Sequence, residues 1–137
     1  MATYVDVGAN LTDAMFRGVY RGKRAHEDDL RAVLRRARDV GVRDIIVTAG
    51  TLEEAREAMA LVRETRDAAD APRLYATCGV HPTRCGAFAE DADGADAHLE
   101  KLTRVALEGK ASGTVVAIGE MGLDYDRLEF CDAATQK

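Results

Sequence analysis

The chain has 137 residues, of which 47% are hydrophobic and 31% charged, and this composition excludes an intrinsically disordered chain. No apolar run approaches the ~20 residues that a membrane-spanning helix needs. The 19 Lys and Arg residues and 24 Asp and Glu residues give a net charge of −5. Because the protein as a whole is negative, it cannot bind nucleic acid through its overall charge. Any nucleic-acid partner must therefore be bound at a local site.

Short apolar segments predict β-strands, and amphipathic segments between them predict helices. In chain order they are strand Thr3–Val7, helix Leu30–Val40, strand Asp44–Thr48, helix Leu52–Val62, strand Leu74–Val80, helix Leu99–Ala106 and strand Thr114–Ile118. Gly41 and Gly109 are typical helix stops, and Thr51 and Glu54 have the spacing of a capping box.

The strands are apolar at successive residues, which is typical of a parallel sheet covered on both faces. The helices supply the long crossovers that parallel strands need. We therefore predict one α/β domain over residues 1–137. The pattern by itself leaves open whether the sheet is a barrel or an open sheet.

The amino terminus and the cysteines favour an intracellular protein in the cytoplasm or nucleus, with no membrane partner. The first six residues have neither the basic nor the apolar segment of a secretory signal. Cys78, Cys85 and Cys131 are odd in number and contain no CxxC pair, so we expect reduced thiols. Cys78, His81 and Cys85 resemble a zinc knuckle in spacing, but a fourth ligand is missing nearby.

Chemistry is expected where the strands end, because parallel sheets place their sites at the carboxyl edge. Glu120 directly follows the last strand, and Gly119 and Gly122 on either side of it allow close approach. A carboxylate in this position suits a divalent cation, and the alternative is an ion pair or a cap. His81 follows the third strand and is either a ligand or phosphate contact or a histidine satisfied by a backbone carbonyl.

The first strand and the loop after it offer further candidates. Asp6, Asn10 and Asp13 are candidate oxygen ligands. Asp6 lies between two valines, where burial without a partner would be costly. Arg17 and Arg21 belong to a local basic segment that could bind a phosphate backbone, although a solvated loop is an equal alternative. The remaining histidines, His26 and His98, lie in polar stretches and are expected to be solvated.

Several of these segments together resemble the TatD family of metal-dependent deoxyribonucleases, within the amidohydrolase-like barrels. The resemblance is carried, in order, by residues 6–13, 79–82, 118–124 and 135–136, and residues 15–22 and 81–86 are closest to the eukaryotic type. It implies a TIM-barrel-like (β/α)8 metal-dependent hydrolase fold. A complete barrel takes about 250 residues, so this chain would hold only about the first four βα units.

The resemblance also implies roles for individual residues. Glu120 matches a glutamate that bridges two divalent metal ions, expected to be Mg²⁺ or otherwise Zn²⁺ or Mn²⁺. Asn10 stands where many relatives have a histidine, which leaves Asp6 and Asn10 as indirect contributors to the metal site. His81 is implied as a catalytic residue that contacts phosphate or water. The predicted substrate-binding residues are Arg17, Arg21, Arg84 and Asp124.

The implied reaction is hydrolysis of DNA phosphodiester bonds by an exonuclease, in repair or in DNA degradation during cell death. The alternatives are a hydrolase of another ester, such as aminoacyl-tRNA, and a non-catalytic half-barrel that acts as a binding module. No histidine follows Glu120, so the remaining family ligands are missing. We therefore expect an inactive amino-terminal half-barrel, which either self-associates or is completed by a missing carboxyl-terminal half.

Overall fold

The architecture is a parallel sheet whose strands are connected by helices. A computed structural model describes residues 2–137, and Met1, the first residue of the predicted domain, lies outside the described residues. The strands are β1 (Tyr4–Ala9), β2 (Val19–Tyr20), β3 (Lys23–Arg24), β4 (Val42–Val47), β5 (Arg73–Cys78) and β6 (Val115–Ile118). The helices are α1 (Leu30–Asp39), α2 (Leu52–Thr65), α3 (Gly86–Glu90) and α4 (Ala95–Ala111). Among residues 2–137, no helix is long and apolar enough to cross a membrane.

The four longer strands are parallel and lie in the order β1-β4-β5-β6. Each neighbouring pair is connected through one of the longer helices, α1, α2 or α4. This confirms the predicted alternation of strands and helices and the parallel sheet. The β2–β3 hairpin and α3 lie in the two long loops, and the apolar pattern predicts neither, because such short elements show no clear periodicity.

The core lies between the sheet and the longer helices. Leu34 of α1 and Val47 of β4 are 1% and 0% exposed. Gly109 brings α4 close to the sheet, because a Cβ at this position would overlap the side chain of Val115 in β6. The helices thus cover one face of the sheet and hold the ends of its strands in fixed relative positions.

The outer strands differ from the prediction that every strand is covered on both faces. Val5 and Val7 of β1 are 59% and 71% exposed, and Val116 and Ile118 of β6 are 50% and 62% exposed. Asp6 is also exposed, so the expectation of a buried carboxylate with a compensating partner is wrong. Apolar residues mark these surfaces as suited to burial, but the cover would have to come from elements other than those of residues 2–137.

Both edges of the sheet are open within the described part of the chain, since β1 and β6 each pair with one neighbouring strand. An open edge presents unpaired backbone N–H and C=O groups to another chain. Self-association, or completion of the sheet by a carboxyl-terminal half-barrel, stays a prediction.

His98 is buried, so its predicted solvation is wrong. The side chain is 6% exposed, and its Nδ1 lies 3.0 Å from Oδ2 of Asp91. The rings of His98 and Phe88 are 4.8 Å apart. His98 lies four residues before the buried Leu102, and this helical spacing, rather than the polar neighbours in sequence, decides which way the side chain faces. His26 is exposed, as predicted.

Asp91 holds the connection between α3 and α4 in place. Its Oδ1 accepts hydrogen bonds from Lys101 Nζ at 2.7 Å and from the backbone N–H of Asp93 at 3.1 Å. Lys101, the Asp93 N–H and His98 together lower the pKa of Asp91 from 3.8 to about 2. The ionised carboxylate therefore stabilises the folded state above pH 3.8, and this stabilisation is lost as the pH falls toward 2.

Replacement of Asp91 by Asn is expected to lower the free energy of unfolding at neutral pH. It should also make that free energy decrease less steeply as the pH is lowered. The difference from the unmodified chain should shrink as the pH drops from 3.8 to about 2. Urea unfolding at a series of pH values measures this. Asp93→Asn is the control, because the Asp93 side chain is 70% exposed and its ion pair with Lys101 should contribute little. If the free energy of unfolding changed with pH in the same way for Asp91→Asn as for the unmodified chain, the expectation would be contradicted.

Candidate active site

The carboxyl ends of the parallel strands surround a polar cavity of about 620 Å³. It brings together five of the residues singled out from the sequence, Asn10, Asp13, His81, Arg84 and Glu120. The rest of the lining is Thr12, Ala14, Thr48, Gly50, Glu54, Glu57, Thr83 and Arg127.

Glu120 lines this cavity as an exposed side chain just beyond β6. Its backbone N–H donates to the carbonyl oxygen of Ala49, at 3.1 Å, so the end of β6 is tied to the end of β4. Gly79, just after β5, allows residues 119 and 120 to pack closely against it, because a Cβ there would lie 2.5 Å from the Gly119 carbonyl carbon and closer still to the Glu120 carbonyl oxygen. The backbone therefore holds the carboxylate at the cavity rather than in the apolar core.

His81 presents a hydrogen-bond donor. Its ring Nδ1 accepts the backbone N–H of Thr83 at 3.1 Å and lies 2.7 Å from the Thr83 hydroxyl. A nitrogen that accepts an N–H bond carries no proton, so the neutral ring is protonated at Nε2. His81 therefore suits a phosphate oxygen better than a metal ion. Neither ring nitrogen bonds to a backbone carbonyl, which was the alternative considered from the sequence.

Asn10 is oriented by Thr48. The Thr48 hydroxyl donates to the Asn10 amide oxygen at 2.8 Å, and the Thr48 N–H donates to the carbonyl oxygen of Ala9 at 3.0 Å. The amide oxygen keeps one free lone pair, and the amide N–H₂ is free to donate. Asn10 can thus contact an anion through nitrogen or a cation through oxygen.

The remaining predicted site residues lie outside the cavity lining. Asp6 is exposed within β1, and Arg17 pairs with Asp28 at 3.0 Å. Arg21 lies 5.4 Å from the ring of Tyr20. These three positions are not brought to the cavity by the described fold.

Asp124 forms an ion pair with Arg127, whose Nε donates to it at 2.7 Å. Burial raises the pKa of Asp124, but the hydrogen bond from Arg127 and the backbone N–H groups of Asp126 and Arg127 outweigh it, so the net pKa is lowered. Arg127, rather than Asp124, reaches the cavity. Asp124 thus orders the segment that carries this arginine.

Several cavity residues were not predicted as site residues from the sequence, above all Thr48, Glu54, Glu57 and Arg127. Thr48 follows β4 directly, so the strand-end argument applied to the other three strands would have identified it. Glu54 and Glu57 lie in the first turns of α2, which begins at the same edge of the sheet. Arg127 has no comparable signal, because it lies beyond the last strand in a segment without regular structure.

The described residues provide part of a metal site. Glu120 and the Asn10 amide oxygen are ligand types that hard divalent cations prefer. Among residues 2–137, no three His, Cys, Asp or Glu side chains lie close enough together to hold an ion. These residues alone therefore do not fit the metal pair that the family resemblance implies.

None of the three cysteines lines the polar cavity. Cys78 and Cys85 line a separate, largely apolar cavity of about 530 Å³, whereas His81 lines the polar one. Burial raises the pKa of the Cys78 thiol; burial and the nearby Cys131 raise that of Cys85. Among residues 2–137, no three His, Cys, Asp or Glu side chains lie close enough together to hold an ion, so the zinc-knuckle spacing does not correspond to a zinc site in this structure.

Comparison with known proteins adds relatives that share both sequence and fold. The chain is 41% identical over 134 residues to "Deoxyribonuclease Tat-D" of Schizosaccharomyces pombe, a match over 98% of this chain and 41% of the relative. It is 34% identical to "3'-5' ssDNA/RNA exonuclease TatD" of Edwardsiella piscicida, over 97% of this chain and 41% of that protein. The chain thus spans about two fifths of the length of these relatives.

The crystal structure of a hydrolase TatD family protein from Entamoeba histolytica matches with a TM-score of 0.84 and 39% identity, over 98% of this chain and 42% of that one. An uncharacterized amidohydrolase from Saccharomyces cerevisiae matches with a TM-score of 0.75 and 31% identity, over 98% and 41%. The fold is accordingly part of a TIM-barrel-like fold, as predicted. The family model of TatD-related DNases matches residues 5–137, and the chain belongs to this family.

Proposed function

We propose that the chain is the amino-terminal half of a metal-dependent deoxyribonuclease that hydrolyses DNA phosphodiester bonds. The observation that carries this proposal is the polar cavity at the carboxyl edge of the sheet, which Glu120, His81 and Asn10 line together. The relatives named as deoxyribonucleases or as a 3'-5' ssDNA/RNA exonuclease support the same class of reaction. We infer exonuclease action on DNA ends, in repair or in DNA degradation during cell death.

The chain's own residues have different roles in this reaction. The His81 Nε2–H and the Asn10 amide N–H₂ donate to phosphate oxygens and hold the phosphodiester, and Arg84 adds positive charge at the cavity. In the complete protein, Glu120 would provide a carboxylate oxygen for a divalent cation, Mg²⁺ or otherwise Mn²⁺ or Zn²⁺. Such a cation would supply activation of water and stabilisation of the leaving oxygen. Because the donor set of residues 2–137 is incomplete, further ligands must come from elsewhere.

The experiment compares the 137-residue chain with a fusion protein. In the fusion protein, residues 1–137 are joined to the carboxyl-terminal part of the fission yeast relative that follows the matched region. Both are incubated with Mg²⁺ and a 3'-labelled or 5'-labelled single-stranded oligonucleotide. We expect no hydrolysis by the chain alone and stepwise shortening from the 3' end by the fusion protein.

Two results would contradict the proposal. If a well-folded fusion protein left DNA intact, the proposed nuclease function would be contradicted. Release of the amino acid from aminoacyl-tRNA by that protein would favour the alternative ester hydrolase. Cleavage by the 137-residue chain alone, abolished by a change at Glu120, would show that a complete site does not need a second half.

A further inference from the structure

The turn between β4 and α2, residues 48–51, forms hydrogen bonds to all three central site residues. Thr48 bonds to the Asn10 side chain, the Ala49 carbonyl accepts the Glu120 N–H, and the Gly50 carbonyl accepts the His81 N–H at 2.9 Å. Ala49 and Gly50 are buried, and Thr48 is half-buried. The position of this turn therefore sets the relative positions of the three side chains.

Glu54 holds this turn from the first turn of α2. Its Oε2 accepts the backbone N–H of Gly50 at 2.8 Å. Its own N–H donates to the Thr51 hydroxyl at 3.1 Å, which is the usual half of a capping box. The second half is displaced by one residue, because the carboxylate bonds to Gly50 and not to Thr51. The Glu54 carboxylate thereby binds Gly50, which is the residue that contacts His81.

Gly50 also packs directly against His81. A Cβ at Gly50 would lie 3.1 Å from the His81 Cβ and 3.3 Å from the Glu54 carboxylate. The three residues are therefore in close contact as well as hydrogen-bonded. A shift of Gly50 must move the backbone of His81, and with it the ring that offers Nε2–H to the cavity.

We propose that Glu54 is a positioning residue, which acts through Gly50 to fix the His81 donor against a substrate phosphate. The phosphate contact of His81 rests on the proposed function, whereas the link from Glu54 to His81 rests on the geometry alone. The hydrogen bond, and not the negative charge of Glu54, carries this role. A carboxylate near a helix start also favours the helix through its charge, so the test must separate charge from hydrogen bond.

Two substitutions make this separation in the 137-residue chain. Glu54→Gln removes the charge but keeps the length and an acceptor oxygen for the Gly50 N–H. Glu54→Asp keeps the charge but is one methylene too short to reach Gly50. Glu53→Asp is the matched control, because the neighbouring Glu53 side chain is 71% exposed. Amide hydrogen exchange is measured by NMR at Gly50 and His81.

We expect exchange at Gly50 and His81 to accelerate about tenfold in Glu54→Asp, the effect of losing one hydrogen bond. Glu54→Gln and Glu53→Asp should exchange as the unmodified chain does. A short oligothymidylate is then titrated against each protein, with the His81 ring nitrogens as the signal. Its dissociation constant should rise about tenfold in Glu54→Asp alone.

The outcomes distinguish the two proposals. Acceleration in Glu54→Gln but not in Glu54→Asp, or unchanged exchange in Glu54→Asp, would overturn the positioning role. Failure of Glu54→Gln to fold would likewise show that the charge is what matters. Oligonucleotide titrations that leave the His81 ring signals unchanged in the unmodified chain would count against the proposed function, while the exchange data would still decide the role of Glu54.

Discussion

Glu120→Gln in the fusion protein is expected to lower kcat/KM for hydrolysis of single-stranded DNA by at least about 10³-fold. The amide is nearly the same size as the carboxylate, but it lacks the negative charge with which Glu120 would hold a divalent cation. Stabilisation by bound metal contributes several kcal/mol to hydrolysis, and about 1.4 kcal/mol corresponds to a factor of ten in rate. Initial rates at saturating Mg²⁺ measure the effect.

Glu129→Gln provides the matched control for this experiment. Glu129 is exposed in the same segment beyond β6, and it does not line the polar cavity. Its substitution should leave kcat/KM unchanged. If Glu120→Gln kept more than a tenth of the activity, Glu120 would be part of the scaffold, and the cation would have to be held without it.

Gly79→Ala is expected to destabilise the 137-residue chain by about 3 kcal/mol, at the upper end of what overpacking costs. The added methyl group would overlap the backbone of Gly119 and Glu120, and a backbone cannot turn away as a flexible side chain can. The clash must therefore separate the ends of β5 and β6 and displace Glu120 from the cavity. Urea unfolding with unchanged m-value measures the loss.

Gly86→Ala is the control for Gly79→Ala. A Cβ at Gly86 would meet only the Glu90 carboxylate, at 3.5 Å, which is an ordinary contact. Since Gly86 begins α3, alanine there should be neutral or stabilising by up to about 1 kcal/mol. Equal stabilities of the two alanine variants would show that the close approach of Gly79 to Glu120 is not needed.

The cavity combines groups that suit a phosphodiester with an incomplete set that suits metal ions. The donors of His81 and Asn10 lie on one edge of the sheet with the Glu120 carboxylate. Residue types alone cannot separate these roles, because histidine and asparagine both bind metals and phosphates. The backbone N–H of Thr83 decides the tautomer of the neutral His81 ring, since it occupies Nδ1.

The positions of the strands, the longer helices and the main candidate site residues follow from the sequence alone. Local apolar periodicity determines strands and helices, and parallel strands must bring their carboxyl ends to one edge. Because Asn10, His81 and Glu120 each follow a strand of this sheet, the sequence predicts that they lie at the same edge. The family motif around Glu120 is also local, so it can be recognised without the fold.

The tertiary structure alone decided which of the polar candidates face the cavity and what holds them there. The contacts that matter join distant parts of the chain: Asn10 is oriented by Thr48, 38 residues away, and the Glu120 backbone by Ala49. Burial of His98 and exposure of Asp6 likewise depend on what packs against each face. Periodicity reports which residues share a face, but hydrogen-bond partners and solvent exposure arise only when separate elements meet in space.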